Sequence, residues 1–127
     1  MNLLKEMARH LEFAGFGERE RDIFWGRMPD LPDACVAVFS PDSARPGAEN
    51  GARVQIVNRA ESPGAAYETA CELANALDGF HGFLAGDGAA AKITVLSAAS
   101  GMGGDGKKRE MYAAELRVLY GEQEEER

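Results

Sequence analysis

The stretch RVQIVNRAESPGAAYETACELANALDG, residues 53–79, decides how this chain is read. Residues 53–59 are rich in Val and Ile, which suit a pleated, half-buried surface, and they predict a β-strand. The period then changes. Ser62 is placed to cap a helix, and Pro63 stands at its first position, where the missing N–H costs nothing. Tyr67, Ala70, Cys71, Ala74 and Leu77 recur on one helical face, and Gly79 ends the helix after Asp78. Small side chains on that face predict close approach to a sheet. A strand that feeds a narrow helical stripe directly is the first sign of an α+β layer.

Working outward, residues 3–14 carry Leu4, Met7, Ala8 and Leu11 at helical spacing, with Asn2 as N-cap and Gly15 as a left-handed stop. An isolated helix this short is marginal in water, so its stripe must pack on something. Residues 22–28 are aromatic-rich and predict a strand that Pro29, Asp30 and Pro32 terminate. Residues 34–39, Ala-Cys-Val-Ala-Val-Phe, are apolar on both parities, as a central strand would be. Residues 40–51 form a polar loop. Phe80, Phe83 and Leu84 fall in a turn, residues 92–97 predict a strand, and residues 98–108 a glycine-rich loop. In residues 110–120, Tyr112, Ala114, Leu116, Val118 and Tyr120 alternate with Glu115 and Arg117, so the last element reads as a strand in a hairpin with 92–97. The expected fold is α+β: one mainly antiparallel sheet of four to five strands with two main helices packed on one face. Residues 1–121 are expected to make one domain, followed by an acidic mobile tail at 122–127.

The 127 residues carry a net charge of −7, of which −3 belongs to residues 122–127. An acidic chain lacks the clustered Lys and Arg that displace counterions from phosphate, which argues against tight nucleic-acid binding. No apolar run has the ~18 residues a membrane helix needs, and no signal peptide opens the sequence, so a cytoplasmic protein is expected. Cys35 and Cys71 are then free thiols, with no CxxC spacing to suggest a metal.

Several motifs invite a chemical reading. Gly101, Gly103 and Gly106 match GxGxxG, and Lys107 nearly completes a P-loop. A P-loop needs a hydroxyl after the Lys, and Lys108 supplies none; a dinucleotide fingerprint needs a following helix, whereas residues 110–120 alternate as a strand. Glu6 and His10 stand at i and i+4 off the apolar stripe of the first helix, with no third ligand beside them, and read as a solvated pair. Glu68 and Glu72 read as the wet side of the second helix, Trp25 as core or interface, and His81 as a turn residue without an identifiable partner. Arg59 and Arg109 flank strand ends and are assigned a structural pairing with Asp105 or Glu110. No nucleophile–base constellation exists, so no catalytic residue, cofactor or metal is expected. Contacts with partners are expected instead at the loop 40–51 and at Gly101, Met102, Gly103, Gly104, Asp105, Gly106, Lys107, Lys108 and Arg109, because long loops on a small scaffold carry recognition.

The order of these pieces resembles a known family. The strand Val54-Gln55-Ile56-Val57-Asn58-Arg59 leads into the helix 65–77, and Gly104-Asp105-Gly106-Lys107-Lys108-Arg109 leads into the closing strand. This is similar to the minor capsid or tail terminator proteins of long-tailed bacteriophages, in which a VQIxVR strand precedes an AxxxAxxLxxxL helix and a Gly-Asp-x-Gly-Lys/Arg turn precedes the last strand. Asn58 departs from the β-former usual there. The resemblance implies a structural protein of phage or prophage assembly. It would form a hexameric ring that caps the tail tube, touches tail tube protein on one face and a head-completion protein on the other, and lets DNA through as passing cargo. It would work in the host cytoplasm and then in the virion tail, with no membrane partner. Six copies of −7 carry −42, a charge that would repel the DNA backbone. A head–tail joining or neck protein is the neighbouring reading, and a nucleotide-binding enzyme using the glycine stretch the remote one.

Overall fold

A computed structural model describes residues 2–40, 47–49, 51–104 and 106–121; the tail 122–127, most of the 40–51 loop and Asp105 lie outside the described residues. In chain order the elements are α1 (Leu3–Phe13), β1 (Ile23–Trp25), β2 (Cys35–Phe39), β3 (Ala52–Ala60), α2 (Pro63–Leu77), β4 (His81–Phe83), a 3-10 turn (Leu84–Gly86), β5 (Ala90–Gly104) and β6 (Glu110–Tyr120). They build a curled sheet in the order β1-β2-β3-β6-β5-β4. All neighbours are antiparallel except β1 and β2, which run parallel.

The expected α+β architecture holds, but the strand count is corrected from four or five to six, and the sheet is mixed. The additional strand, β4, is only three residues long, as is β1, too short to show a period, and pairing with longer neighbours makes strands of them. The predicted strand at 22–28 shrinks to Ile23–Trp25 for the same reason: β2 offers it only Val36, Ala37 and Val38. No helix is long and apolar enough to cross a membrane among the described residues.

One face of the sheet carries Val36, Val38, Val54, Ile56, Ile93, Leu116 and Val118, and both helices cover it with Met7, Ala8, Leu11, Leu73 and Leu77. Each of the large aliphatic side chains there contributes roughly 1.5–3 kcal/mol by leaving water. Caps fix where the helices begin. Asn2 Oδ1 accepts from the Lys5 amide at 3.2 Å, and Ser62 Oγ accepts from the Ala65 amide at 3.2 Å. The buried stripe of α2 is Ala66, Ala70, Leu73, Ala74 and Leu77, which differs from the predicted one. Tyr67 is 49% exposed and Cys71 half-buried, because Tyr67 packs edge-to-face on Tyr112 at 5.7 Å beside the core while Leu73 takes the inward place. The opposite face of the sheet is thinner. Phe24, Cys35 and Ala37 form a small buried cluster there, closed by Met28 and Phe39.

Candidate functional site: the β5–β6 hairpin and the loop it holds

The glycine-rich segment is where recognition was expected, and its form is corrected. Residues 98–104 are not loop; they extend β5 to Gly104, and the turn begins only beyond it. Ala, Ser and Gly are poor strand formers, yet β6 runs alongside and supplies the ladder: Ser100 pairs with Ala113, Gly101 with Tyr112 and Gly104 with Glu110. The register slips between Val95 and Ser97, Ser97 and Ser100, and Gly101 and Gly104, so the hairpin is bulged along its outer half. Gly103 takes a φ of +79°, which its lack of a Cβ permits. The element after Gly106 is β6, not a helix, so the glycines lack the amide-lined helix end that a dinucleotide or phosphate site requires.

β4 covers the outer edge of β5 only where His81, Gly82 and Phe83 pair with Lys92, Ala91 and Ala90. From Thr94 to Gly104 no strand pairs with that edge among the described residues. The stretch holds no charge and no proline, the usual guards of an open edge. It presents Leu96 and Met102, 43% and 47% exposed. Gly101, Gly103, Gly104, Gly106, Lys107 and Lys108 are exposed as well. Asp105 lies outside the described residues. Arg109 does not belong to the surface, being 4% exposed.

Arg109 and Arg59 instead hold a second loop that the sequence did not mark as part of the site. Between β1 and β2 the chain folds across the thin face of the sheet. The Arg59 guanidinium donates to the carbonyls of Pro29 (2.8 Å), Asp30 (3.1 Å), Pro32 (2.7 Å) and Asp33 (3.0 Å). Arg109 donates to the Asp30 carbonyl, to Asp30 Oδ1 at 3.0 Å and to Asp33 Oδ1 at 3.2 Å. Lys107 pairs with Asp30 Oδ2. The expected assignment of both arginines to Asp105 or Glu110 is thus replaced by the loop 29–33. Lys107 and Arg109 together hold the Asp30 carboxyl below the usual carboxylate range. At the tip of this loop Leu31 is 69% exposed. The one signal in the sequence was the pair of acids, Asp30 and Asp33, among prolines, and in one dimension it reads only as the end of a strand.

The remaining candidates separate cleanly. Glu68 and Glu72 are exposed on α2, and Trp25 packs against the core. His81 lines an open groove of about 440 Å³ with Glu49, Lys92 and Tyr120. Glu6 and His10 are not a solvated pair: Glu6 bonds Arg9 at 3.1 Å, while His10 is 5% exposed and accepts the Ala85 amide. Helical spacing placed His10 off the stripe, and the turn after β4 buried it there.

Compared with known proteins, the chain finds no match among curated sequences. The profile of the family described as bacteriophage tail terminator protein matches residues 10–120, from the end of α1 to the last residue of β6. That span contains the whole sheet, α2, the latched 29–33 loop and the β5–β6 hairpin. The chain belongs to the bacteriophage tail terminator family, a family of structural tail proteins.

Proposed function

We propose that this chain closes the finished tail tube as a ring of identical copies, a hexamer, with the open edge of β5 as the contact between neighbours. The single observation that supports this is the uncharged, proline-free edge from residue 96 to 104, beyond the Val95 amide that Asp78 Oδ1 caps at 3.0 Å, along which only β6, on the other side, pairs with β5 among the described residues. Unpaired N–H and C=O groups on a strand edge are completed by a strand from another chain. The hairpin turn at 106–109 and the 29–33 loop, joined through Asp30, then face an adjoining ring. One face of the assembly meets tail tube protein and the other a head-completion protein, with DNA passing through the opening. The protein acts by contact and not by catalysis, in the host cytoplasm during assembly and afterwards in the virion tail.

Native mass spectrometry of the full chain, alone and with tube protein, tests the reading. Six-fold mass, or capped tubes of uniform length, is the expected result. A strict monomer that also leaves tube ends bare overturns it.

A further inference from the structure

Next to this surface lies a buried histidine that the contact between copies does not use. His10 on α1 is 5% exposed, and its Nδ1 accepts the Ala85 amide at 2.8 Å. Ala85 sits in the turn after β4 with a φ of +53°, a conformation that needs support from outside the turn. The imidazole lies edge-on to Phe80 at 4.6 Å and beside Phe13 at 6.4 Å. Arg9, the preceding residue, ties the same turn through Asp87 Oδ1 at 2.7 Å. Two consecutive side chains of α1 therefore fasten residues 85–87.

We propose that His10 is an acid-sensitive latch: the neutral ring holds the turn 84–88 against α1, and protonation frees that turn together with β4, uncovering the rest of the β5 edge. The chemistry is a matter of donors and acceptors. A neutral imidazole accepts through Nδ1 and keeps its proton on Nε2; the imidazolium carries a proton on both, so Nδ1–H would face the Ala85 N–H. The charged groups around it are Glu6 and Arg9 on its own helix and Asp87 on the turn. Arg9 repels the imidazolium. Asp87 would favour it, but its carboxylate is engaged with Arg9 and is 77% exposed. Burial first, and Arg9 second, keep the ring below the ordinary histidine value. Stability from the latch is therefore complete above the unfolded value of ~6.5 and is lost as pH falls from there through the lower folded value. Apart from the latch, β4 is held by three residue pairs with β5, by the Gly79 amide donating to the Ile93 carbonyl at 3.0 Å and by the Ile93 amide donating to the Phe80 carbonyl at 2.9 Å. Leu84 anchors the turn in the core, so the release is a local opening about residues 85–88 and the short β4 pairing.

The test compares the full wild-type chain with His10→Asn, whose Oδ1 can take the place of Nδ1 without titrating. Amide exchange by NMR, corrected for intrinsic rates, is read at Ala85 and Ile93 at about pH 7.5 and about pH 5. In the wild type, protection at both amides is expected to fall by about tenfold or more at the lower pH. In His10→Asn it is expected to persist, and the wild-type Tm should drop by roughly 3–6 °C more than the variant's over that range. Equal losses in the two proteins overturn the latch. If His10→Asn does not fold, the wild type alone decides: the His10 ring titration and the loss of Ala85 protection must share one midpoint. A ring that titrates while Ala85 stays protected overturns it equally.

Discussion

Arg59 near the end of β3 and Arg109 in the turn just before β6 converge on one acceptor, the carbonyl oxygen of Asp30. Both guanidiniums are almost fully buried, at 5% and 4% exposed. Two like charges so placed would repel unless the site were dense in negative potential. The loop 29–33 supplies it, with four carbonyls around Arg59 and the Asp30 and Asp33 carboxylates against Arg109. The loop is held to the sheet by its main-chain carbonyls on Arg59 and by its two carboxylates on Arg109 and Lys107, so its shape depends on both arginines.

Replacing Arg59 tests this dependence. Arg59→Ala removes the shared donor from four carbonyls and is expected to cost about 2–4 kcal/mol in urea unfolding. Arg59→Lys should recover little, because a single ammonium on a flexible stem cannot reproduce the planar fork that spans Pro29 and Asp33. A lysine variant as stable as the wild type would show that charge alone, and not the fork, holds the loop.

Asp30→Asn tests the ionic half of the latch. The Asp30 carboxyl is held below its usual range by Lys107 first and Arg109 second. Because the folded value lies below the unfolded one, its stabilisation is present above the unfolded value of ~3.9 and is lost as pH falls through the folded one. The wild type should be more stable than Asp30→Asn at pH 7, with the gap closing below about pH 4. The carboxyl is 60% exposed, so ~1 M salt should narrow the gap as well. Thermal melts across pH and salt measure both.

Asn58 is a polar side chain buried with its hydrogen bonding incomplete among the described residues. It is 2% exposed on the core face of β3, and its Nδ2 reaches the Tyr112 carbonyl only at 3.4 Å. Its Oδ1 has no hydrogen-bond partner among the described residues. Asn58→Val removes both polar atoms and suits a buried strand position, so it is expected to raise stability by about 1 kcal/mol by denaturant titration. A loss of more than about 1 kcal/mol would mean that an ordered water or a partner group completes Oδ1.

Charging the open edge tests the proposed ring. Leu96→Lys and Met102→Lys lie on exposed positions of β5, so each should change the stability of the isolated chain by less than about 0.5 kcal/mol. Each should nonetheless lower the oligomer mass in light scattering, because lysine on a strand edge blocks pairing with another strand. Unchanged assembly with both substitutions present would move the contact between copies elsewhere.

Much of the fold was legible locally. Asn2 and Ser62 cap their helices as their side chains dictate, Gly15 takes a φ of +93° past the end of α1, and the alternation of residues 110–120 gives β6 with its bounds intact. Such signals depend on residues within a few positions of each other, where backbone geometry alone decides what meets what. The resemblance carried by the 54–59 strand, the α2 pattern and the 104–109 turn led to the family for the same reason: it rests on contiguous pieces in order.

Tertiary structure decided the rest. Residues 98–104 have no preference for a strand and became one because β6 lay beside them. His10 sat on the wrong side of a helical wheel and was buried because the turn after β4 folded onto it. Arg59 found its partners 26 to 30 residues away, and Arg109 found Asp30 at a separation of 79. Charge and hydrogen-bonding capacity are written in the sequence, but the identity of the partner is set by which segments the sheet brings together. A side chain's neighbours in space are fixed only when the whole core has closed.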